Sequence, residues 1–418
     1  MELKPGYKQT EMGVIPEDWQ VAQIHELKPF VTSGSRGWAS YYSDQGSLFV
    51  RIANLSRDTI YLDLKDSKFV NLPPDANEGT RTQLQEHDVL ISITADIGIV
   101  GYVDSRVPTP AYINQHIALV RFDPTQNSGK FMSYFLASEK PQKLFRASTD
   151  VGAKAGMSLL TVKKLQLALP SHPEQLVIAG ALSDMDALIE SLEKFIAKKR
   201  DLKQAAMQQL LTGQTRLPGF RGEWEVKCLK AIVQTPVTDG PHMTPRFLDD
   251  GIPFLSVNNL VENRIDLRDL RFISQSDHEL FSRKCKPRKD DILLGKAASV
   301  GKVAIVESDY EFNIWSPIAM IRVTCDHAAR FVYYQLQSAD LIAQITLLTN
   351  SSSQGNIGMG DIEKLTLQLP TLSEQIAIAA VLSDMDAEIA ALKWRLAKTR
   401  DLKQGMMQEL LTGRTRLV

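Results

Sequence analysis

The chain has 418 residues, 44% of them hydrophobic and 23% charged, with 48 Lys+Arg against 49 Asp+Glu. That composition excludes a mostly disordered protein, and the length is about twice what one hydrophobic core comfortably serves. A formal charge of −1 leaves any affinity for nucleic acid or membrane to local patches.

Three scattered cysteines, Cys228, Cys285 and Cys325, exclude a disulfide framework and a cysteine-rich zinc module. The polar N-terminus lacks a signal-peptide core, and no apolar run reaches the roughly 18 residues of a membrane span. A soluble, reduced, cytoplasmic protein without membrane attachment is expected.

In chain order, residues 47–53, 88–94 and 117–122 read as short strands separated by Gly, Pro, Asn and Asp turns. A helical stretch over 129–147 precedes a loop, 152–158, carrying two glycines. A long helix follows. Ile178, Leu182, Met185, Ile189, Leu192 and Ile196 form a heptad seam. Beyond Lys199 the apolar positions shift to Leu202, Ala206 and Leu210, which predicts a stutter, and Gly213 is a natural stop. About 40 residues at ~1.5 Å each make a rod of roughly 60 Å. The order then repeats. Strand-like runs at 252–257, 291–294, 302–306 and 319–323 lead to a helical stretch over 328–348 and a polar loop, 351–356. The second long helix has its seam at Ile378, Leu382, Met385, Ile389, Leu392 and Leu396, then Leu402, Met406 and Leu410, before Gly413.

The two helices are copies. Residues 174–217 lie on 374–417 without a gap, with 28 of 44 positions identical, including LSDMDA, RDLKQ and LLTG. Upstream the likeness thins but persists: Phe49, Asn54 and Leu55 match Phe254, Asn259 and Leu260, and residues 88–90 with Gly98 match 291–293 with Gly301. A repeat of this length implies paired domains rather than a solenoid. The expected fold is α+β: two globular domains, 1–170 and 215–370, alternating with long helices at 171–214 and 371–418.

Charge predicts how the helices pair. Residues 174–193 carry five acids and no base, and 194–216 six bases against Asp201 alone. The second copy has four acids and no base up to Leu392, then seven bases and two acids. A parallel pair would set acid beside acid, whereas an antiparallel coiled coil sets each acidic half beside a basic one. The result would be a pseudo-twofold internal duplication. The competing reading is that each helix follows its own dipole and docks on its own domain.

Two similar globules on such a rod suit a target with two separated half-sites. Duplex DNA, with a turn of about 34–36 Å, is one; a protein-bridging scaffold would use the same geometry. Candidate DNA contacts are Ser35, Arg36, Tyr41 and Tyr42, in a polar and aromatic stretch. Lys154 and Ser158 stand in the first glycine-containing loop, and Gln354 and Asn356 in its counterpart. Lys284, Lys286, Arg288 and Lys289 belong to a run with five bases in seven residues, for which a solvated face is the plain alternative. Catalytic chemistry finds no carrier: there is no P-loop, no HExxH among the seven histidines and no GxSxG elbow. Asp88, Asp96, Asp290 and Asp291 lack the lysine and carboxylate arrangement of a nuclease and read as turn and strand-edge acids. No catalytic residue and no metal ligand is assigned.

The order of these parts resembles the specificity subunit of type I restriction-modification systems (the HsdS family) over nearly the whole chain. The opening GVIPEDW (residues 13–19) is similar to that family's usual start, with its counterpart at 217–224. The LP-x-x-x-EQ-x-x-IA passages at 169–179 and 369–379, and the LLTG helix ends, also match. The resemblance implies a non-catalytic subunit with two target-recognition domains that read a bipartite, asymmetric DNA sequence while the helices set the spacer. The implied partners are double-stranded DNA, two modification (methyltransferase) subunits and restriction (translocase-nuclease) subunits. No cofactor is expected on this chain: S-adenosylmethionine would belong to the modification partner, and ATP and Mg to the restriction partner. The alternatives are a non-DNA scaffold and a stand-alone DNA-modifying enzyme. Recognition residues do not transfer by motif in this family, so the candidate contacts rest on local chemistry, and Trp19 and Trp224 read as packing anchors.

Overall fold

The computed structural model describes residues 5–34, 36–73, 77–147, 156–349 and 355–417. The chain forms two compact units, residues 1–194 with 394–418 and residues 195–393. Both long helices, His172–Leu210 and Leu372–Leu410, run from one unit into the other. Each unit therefore takes one globular module and part of both helices, cutting across the four segments expected from the sequence. Among the described residues no helix is long and apolar enough to cross a membrane.

In the first unit a central antiparallel sheet has the order Phe30–Ser33, Ile117–Arg121, Val89–Ser92, Val100–Tyr102. Its strands are apolar on both faces, and alternate residues enter different cores. Val89, Ile91, Ala118 and Val120 pack with the helix Gly129–Ala137, whereas Leu90, Ile117 and Leu119 pack with Leu48, Val50 and Ile113 of a smaller sheet. The period of two thus produces two cores from one sheet. The second unit repeats the plan. Its central sheet runs Thr238–Asp239, Ile318–Ile321, Ile292–Gly295, Val303–Ile305. Ile292 and Leu294 face the helical core while Leu293 faces Leu255 and Ile314.

Each module closes on itself before its long helix begins. Gln20–Gln23 pairs antiparallel with Gln166–Leu169, and Glu225–Cys228 with Thr366–Leu369. A glutamine then fixes the helix start. The Gln175 amide donates to the Pro170 carbonyl (3.1 Å) and accepts from the Ser128 backbone N–H (2.9 Å). Gln375 does the same with Pro370 (2.8 Å) and Ala328 (2.9 Å). This double bond accounts for the Gln of the repeated EQ motif. Trp19 is fully buried against Pro16 and Gly413, and Trp224 packs on Phe331 and Gly213, as anchors at the module starts.

Within each unit the two helices run antiparallel. In the first, Glu174 pairs with Arg416, Asp186 with Lys403 (2.6 Å) and Glu193 with Arg400 (2.6 Å). In the second, Glu374 pairs with Arg216 (2.5 Å), Asp386 with Lys203 (2.6 Å) and Glu388 with Lys199 (2.6 Å). Acidic halves meet basic halves.

One part of the seam differs from expectation. Ile178, Leu182, Met185, Ile189, Leu192, Ile196 and Leu210 are buried or half-buried, as are Ile378, Leu382, Met385, Ile389, Leu392, Leu396 and Leu410. Leu202 and Leu402, however, are 48% and 58% exposed, and there is no stutter. The heptad continues through Lys199 or Thr399, Lys203 or Lys403, and Ala206 or Met406, all buried or half-buried. A lysine's aliphatic stem fills a seam position while its ammonium reaches a carboxylate on the facing helix, which offsets part of the cost of burying it.

Candidate nucleic-acid interface

At one end of each central sheet the strands release three loops side by side. In the first unit, Ser33 lies opposite Ala118, and Ile117 opposite Ser92, so Gly34 and the segments 94–98 and 114–116 all leave from that end. Gly34 is required there, because a Cβ would collide with the Asn114 carbonyl. The 94–98 turn is held by the Ser92 hydroxyl, which donates to the Asp96 carbonyl (2.5 Å) and accepts from the Ile99 N–H (2.8 Å). Ala95 adopts a left-handed φ of 58° within it. A fourth segment joins where Gly156 bridges to Thr94.

The second unit builds the same end from equivalent positions. Gly240 abuts the Ile314 carbonyl, Ala298 has φ 61°, and Asn356 bridges to Ala297. The opposite end of each sheet carries a matching clamp. Arg121 makes a bidentate pair with Asp88 (2.7 Å) and Arg322 with Asp291 (2.6 Å for the closer contact). These pairs tie two strands together and account for both aspartates.

The segments 114–116 and 315–317 at the loop end differ at every position. Asn114, Gln115 and His116 form a chain in the first unit: the Thr94 hydroxyl lies 2.6 Å from His116 Nδ1, Gln115 3.1 Å from His116 Nε2, and the His116 N–H donates to Asn114 (3.1 Å). Trp315, Ser316 and Pro317 stand in their place in the second. There Asp239, with no exposed surface, receives the Lys284 ammonium at 2.5 Å and that of Lys296 at 3.1 Å, with His242 at 3.4 Å. Burial works to raise the Asp239 pKa, but the two lysine ammonium groups prevail and hold the carboxyl below its ordinary range.

The candidate contacts distribute unevenly over this framework. Arg36 is exposed at the loop end of the first unit, and Asn356 at that of the second. Tyr41 and Tyr42 pack edgewise or tilted on Trp38 and Phe49, and only Tyr42 keeps half its surface exposed. Ser158 caps the helix Leu159–Lys163 by accepting from the Thr161 N–H (3.0 Å), so its hydroxyl is already engaged. Lys284 reaches the loop end but is held by Asp239 and the Gly240 carbonyl (3.1 Å). Lys286 pairs with Glu311 (2.6 Å). Arg288 and Lys289 are exposed but precede the strand Ile292–Gly295, at the end away from Lys296. Ser35, Lys154 and Gln354 lie outside the described residues. Sequence reasoning missed Thr94, the 114–116 triplet, His242 and Lys296. The signal for Thr94 and Lys296 was the match of 88–98 with 291–301, which marks the turn; residues 114–116 and His242 lie outside it. Among the described residues no three His, Cys, Asp or Glu side chains are placed to share a metal ion.

The family model for the type I restriction modification DNA specificity domain matches twice, over residues 16–199 and 221–398. A putative type I restriction enzyme MjaX specificity subunit from Methanocaldococcus jannaschii is 26% identical, covering 98% of this chain and 97% of that protein. The type I restriction enzyme EcoBI specificity subunit of Escherichia coli is 22% identical over 73% of this chain and 69% of its own length. The fold is shared with the crystal structure of a type I restriction-modification system S subunit from M. genitalium, at a TM-score of 0.62 and 14% identity over 98% of both chains. With both modules and most of their length matched, the chain belongs to the type I restriction modification DNA specificity family.

Proposed function

We propose that each unit reads one part of a bipartite, asymmetric duplex DNA target through the loop end of its central sheet. The observation that carries this is a common framework bearing unlike side chains. The Arg–Asp clamps, the left-handed alanines and the close-packed glycines recur, while 114–116 and 315–317 share no residue type. A fixed frame with interchangeable donors and acceptors is what base-edge recognition in the major groove requires. The first unit offers amide and imidazole groups, the second an indole, a hydroxyl and the Lys284 ammonium that buried Asp239 holds in place.

The chain is the non-catalytic, target-reading and scaffolding member of its complex. Two modification subunits using S-adenosylmethionine, and restriction subunits using ATP and Mg, would supply the reactions. Support for a partner present twice comes from the helices. Lys198, Asp201, Leu202 and Gln208 are exposed, and so are their identical counterparts Lys398, Asp401, Leu402 and Gln408. An exposed leucine repeated on the same solvent face suits two equivalent docking surfaces.

The test is to map the methylated adenines made by the reconstituted complex. Exchange of residues 15–170 for another module is expected to alter one half-site and leave the other unchanged. A methylation pattern independent of sequence would exclude this reading and favour a scaffold that does not read DNA.

A further inference from the structure

We propose that the first unit carries a grip for the DNA sugar-phosphate backbone that the second unit lacks. It is a cation-lined groove beside the helix Glu139–Ala147, holding duplex that flanks the sequence this unit reads. The inference rests on the DNA-reading function above.

Each unit has a groove of nearly equal size, about 880 Å³ in the first and 890 Å³ in the second, between a long helix and the helices of its module. The long-helix wall is the same in both: Gln404, Met407, Gln408 and Thr412 match Gln204, Met207, Gln208 and Thr212. The facing wall has diverged in charge. At the offset of 200, Lys140, Lys143 and Arg146 stand where Ala339–Leu348 has Asp340, Ala343 and Thr346. Arg57 and Arg414 add two more cations to the first groove, and Glu139 is the one acid in its lining.

In the second groove the charges cancel locally. Lys203 is bound to Asp386 (2.6 Å), and both Lys393 and Arg200 (3.6 Å) engage Glu262. In the first, Lys143 pairs with Glu139 (2.6 Å), Arg57 with Asp96 and Arg414 with Glu409 (3.7 Å), whereas Lys140 and Arg146 make no ion pair among the described residues. Partial burial lowers the Lys140 pKa. Three cations spaced three residues apart along one helix, the outer two unpaired among the described residues, suit an extended polyanion better than a single anion.

Position supports DNA over a protein partner. Arg57 donates to the Ile97 carbonyl (3.0 Å) and pairs with Asp96, so the groove adjoins the 94–98 loop of the reading end. A partner docking alike on both units would meet opposite chemistries, because the counterpart helix exposes Ile342 (49%) and Leu347 (86%).

The experiment measures binding of a 30-base-pair random-sequence duplex to the full chain with its modification partners, as a function of salt. Each phosphate contact contributes about 0.9 to the slope of log K against log salt. The triple variant K140Q/K143Q/R146Q is expected to lower that slope by about 2.7. The affinity lost between 50 and 200 mM salt then shrinks by about 40-fold. Lys140→Gln alone should lower the slope by about 0.9, and Lys140→Arg should restore it. An unchanged slope overturns the grip, as does weakened assembly with the modification subunit at an unchanged slope. In both cases a sequence-bound methylation map leaves the reading function standing, whereas a sequence-independent map removes that function itself.

Discussion

Asp186 and Asp386 are the same residue of the repeated LSDMDA segment in unequal surroundings. The Asp186 side chain is 7% exposed, meets the Lys403 ammonium at 2.6 Å and accepts from the Tyr134 hydroxyl at 2.6 Å. Asp386 meets Lys203 at 2.6 Å and Tyr334 at 2.8 Å, but its side chain is 25% exposed. Burial, reinforced by the carboxylate, pushes the Tyr134 hydroxyl far above the ordinary tyrosine range, so it remains a donor. Removing one member of a buried pair leaves an uncompensated charge, whereas a wetter site is relieved by water. Asp186→Ala is therefore expected to destabilise by about 3–5 kcal/mol and Asp386→Ala by about 1–2 kcal/mol. Urea unfolding checks the ranking; equal costs would show that burial does not set it. The sequence made the two aspartates legible as equivalents, but their exposure depends on packing from remote segments. For the same reason the run around Lys284 looked free: its acid, Asp239, lies 45 residues upstream.

At the scale of elements, hydrophobic periodicity revealed the long helices, and charge their antiparallel pairing, because acids and bases separate cleanly along each. The periodicity misplaced the seam beyond Lys199. A leucine outranks a lysine in any apolar pattern, so Leu202 and Leu402 took seam positions that Lys203 and Lys403 occupy in fact. The facing aspartates make the lysines buriable, and they stand on the other copy of the helix. Leu202→Gln and Leu402→Gln are expected to change stability by less than about 0.5 kcal/mol. Leu210→Ala and Leu410→Ala should each cost about 2–5 kcal/mol, since both side chains are almost fully buried. Denaturation midpoints at constant m-value decide it, and a Leu202 cost matching Leu210 would restore the stutter. The short strands at 88–94 and 117–122 were legible as apolar runs. The pairing of Gln20–Gln23 with Gln166–Leu169 was not, because local pattern cannot announce a partner more than about 140 residues away.

For the whole molecule, the duplication was the most legible feature, and it separates what is held constant from what varies. The constant helices carry the same clamp at each end, Glu174 with Arg416 and Glu374 with Arg216. The modules differ where they would touch DNA, so no repeat could disclose their targets. If the helices set the spacer, its length should follow theirs. Insertions after Phe195 and Arg395 fall between the two sets of ion pairs, leaving Glu193–Arg400 and Lys199–Glu388 within their own units. One heptad in each helix adds about 10 Å, close to three base pairs, but turns the far half-site by nearly a third of a DNA turn. Three heptads add about 31 Å, near the 34–36 Å of a full turn, and return that half-site to the same face. The complex carrying the three-heptad variant is expected to methylate a target whose two halves are unchanged and whose spacer is about nine base pairs longer, with the one-heptad complex much less active. Methylation mapping reads both outcomes, and an unaltered spacer in the longer variant would show that the helices do not measure it.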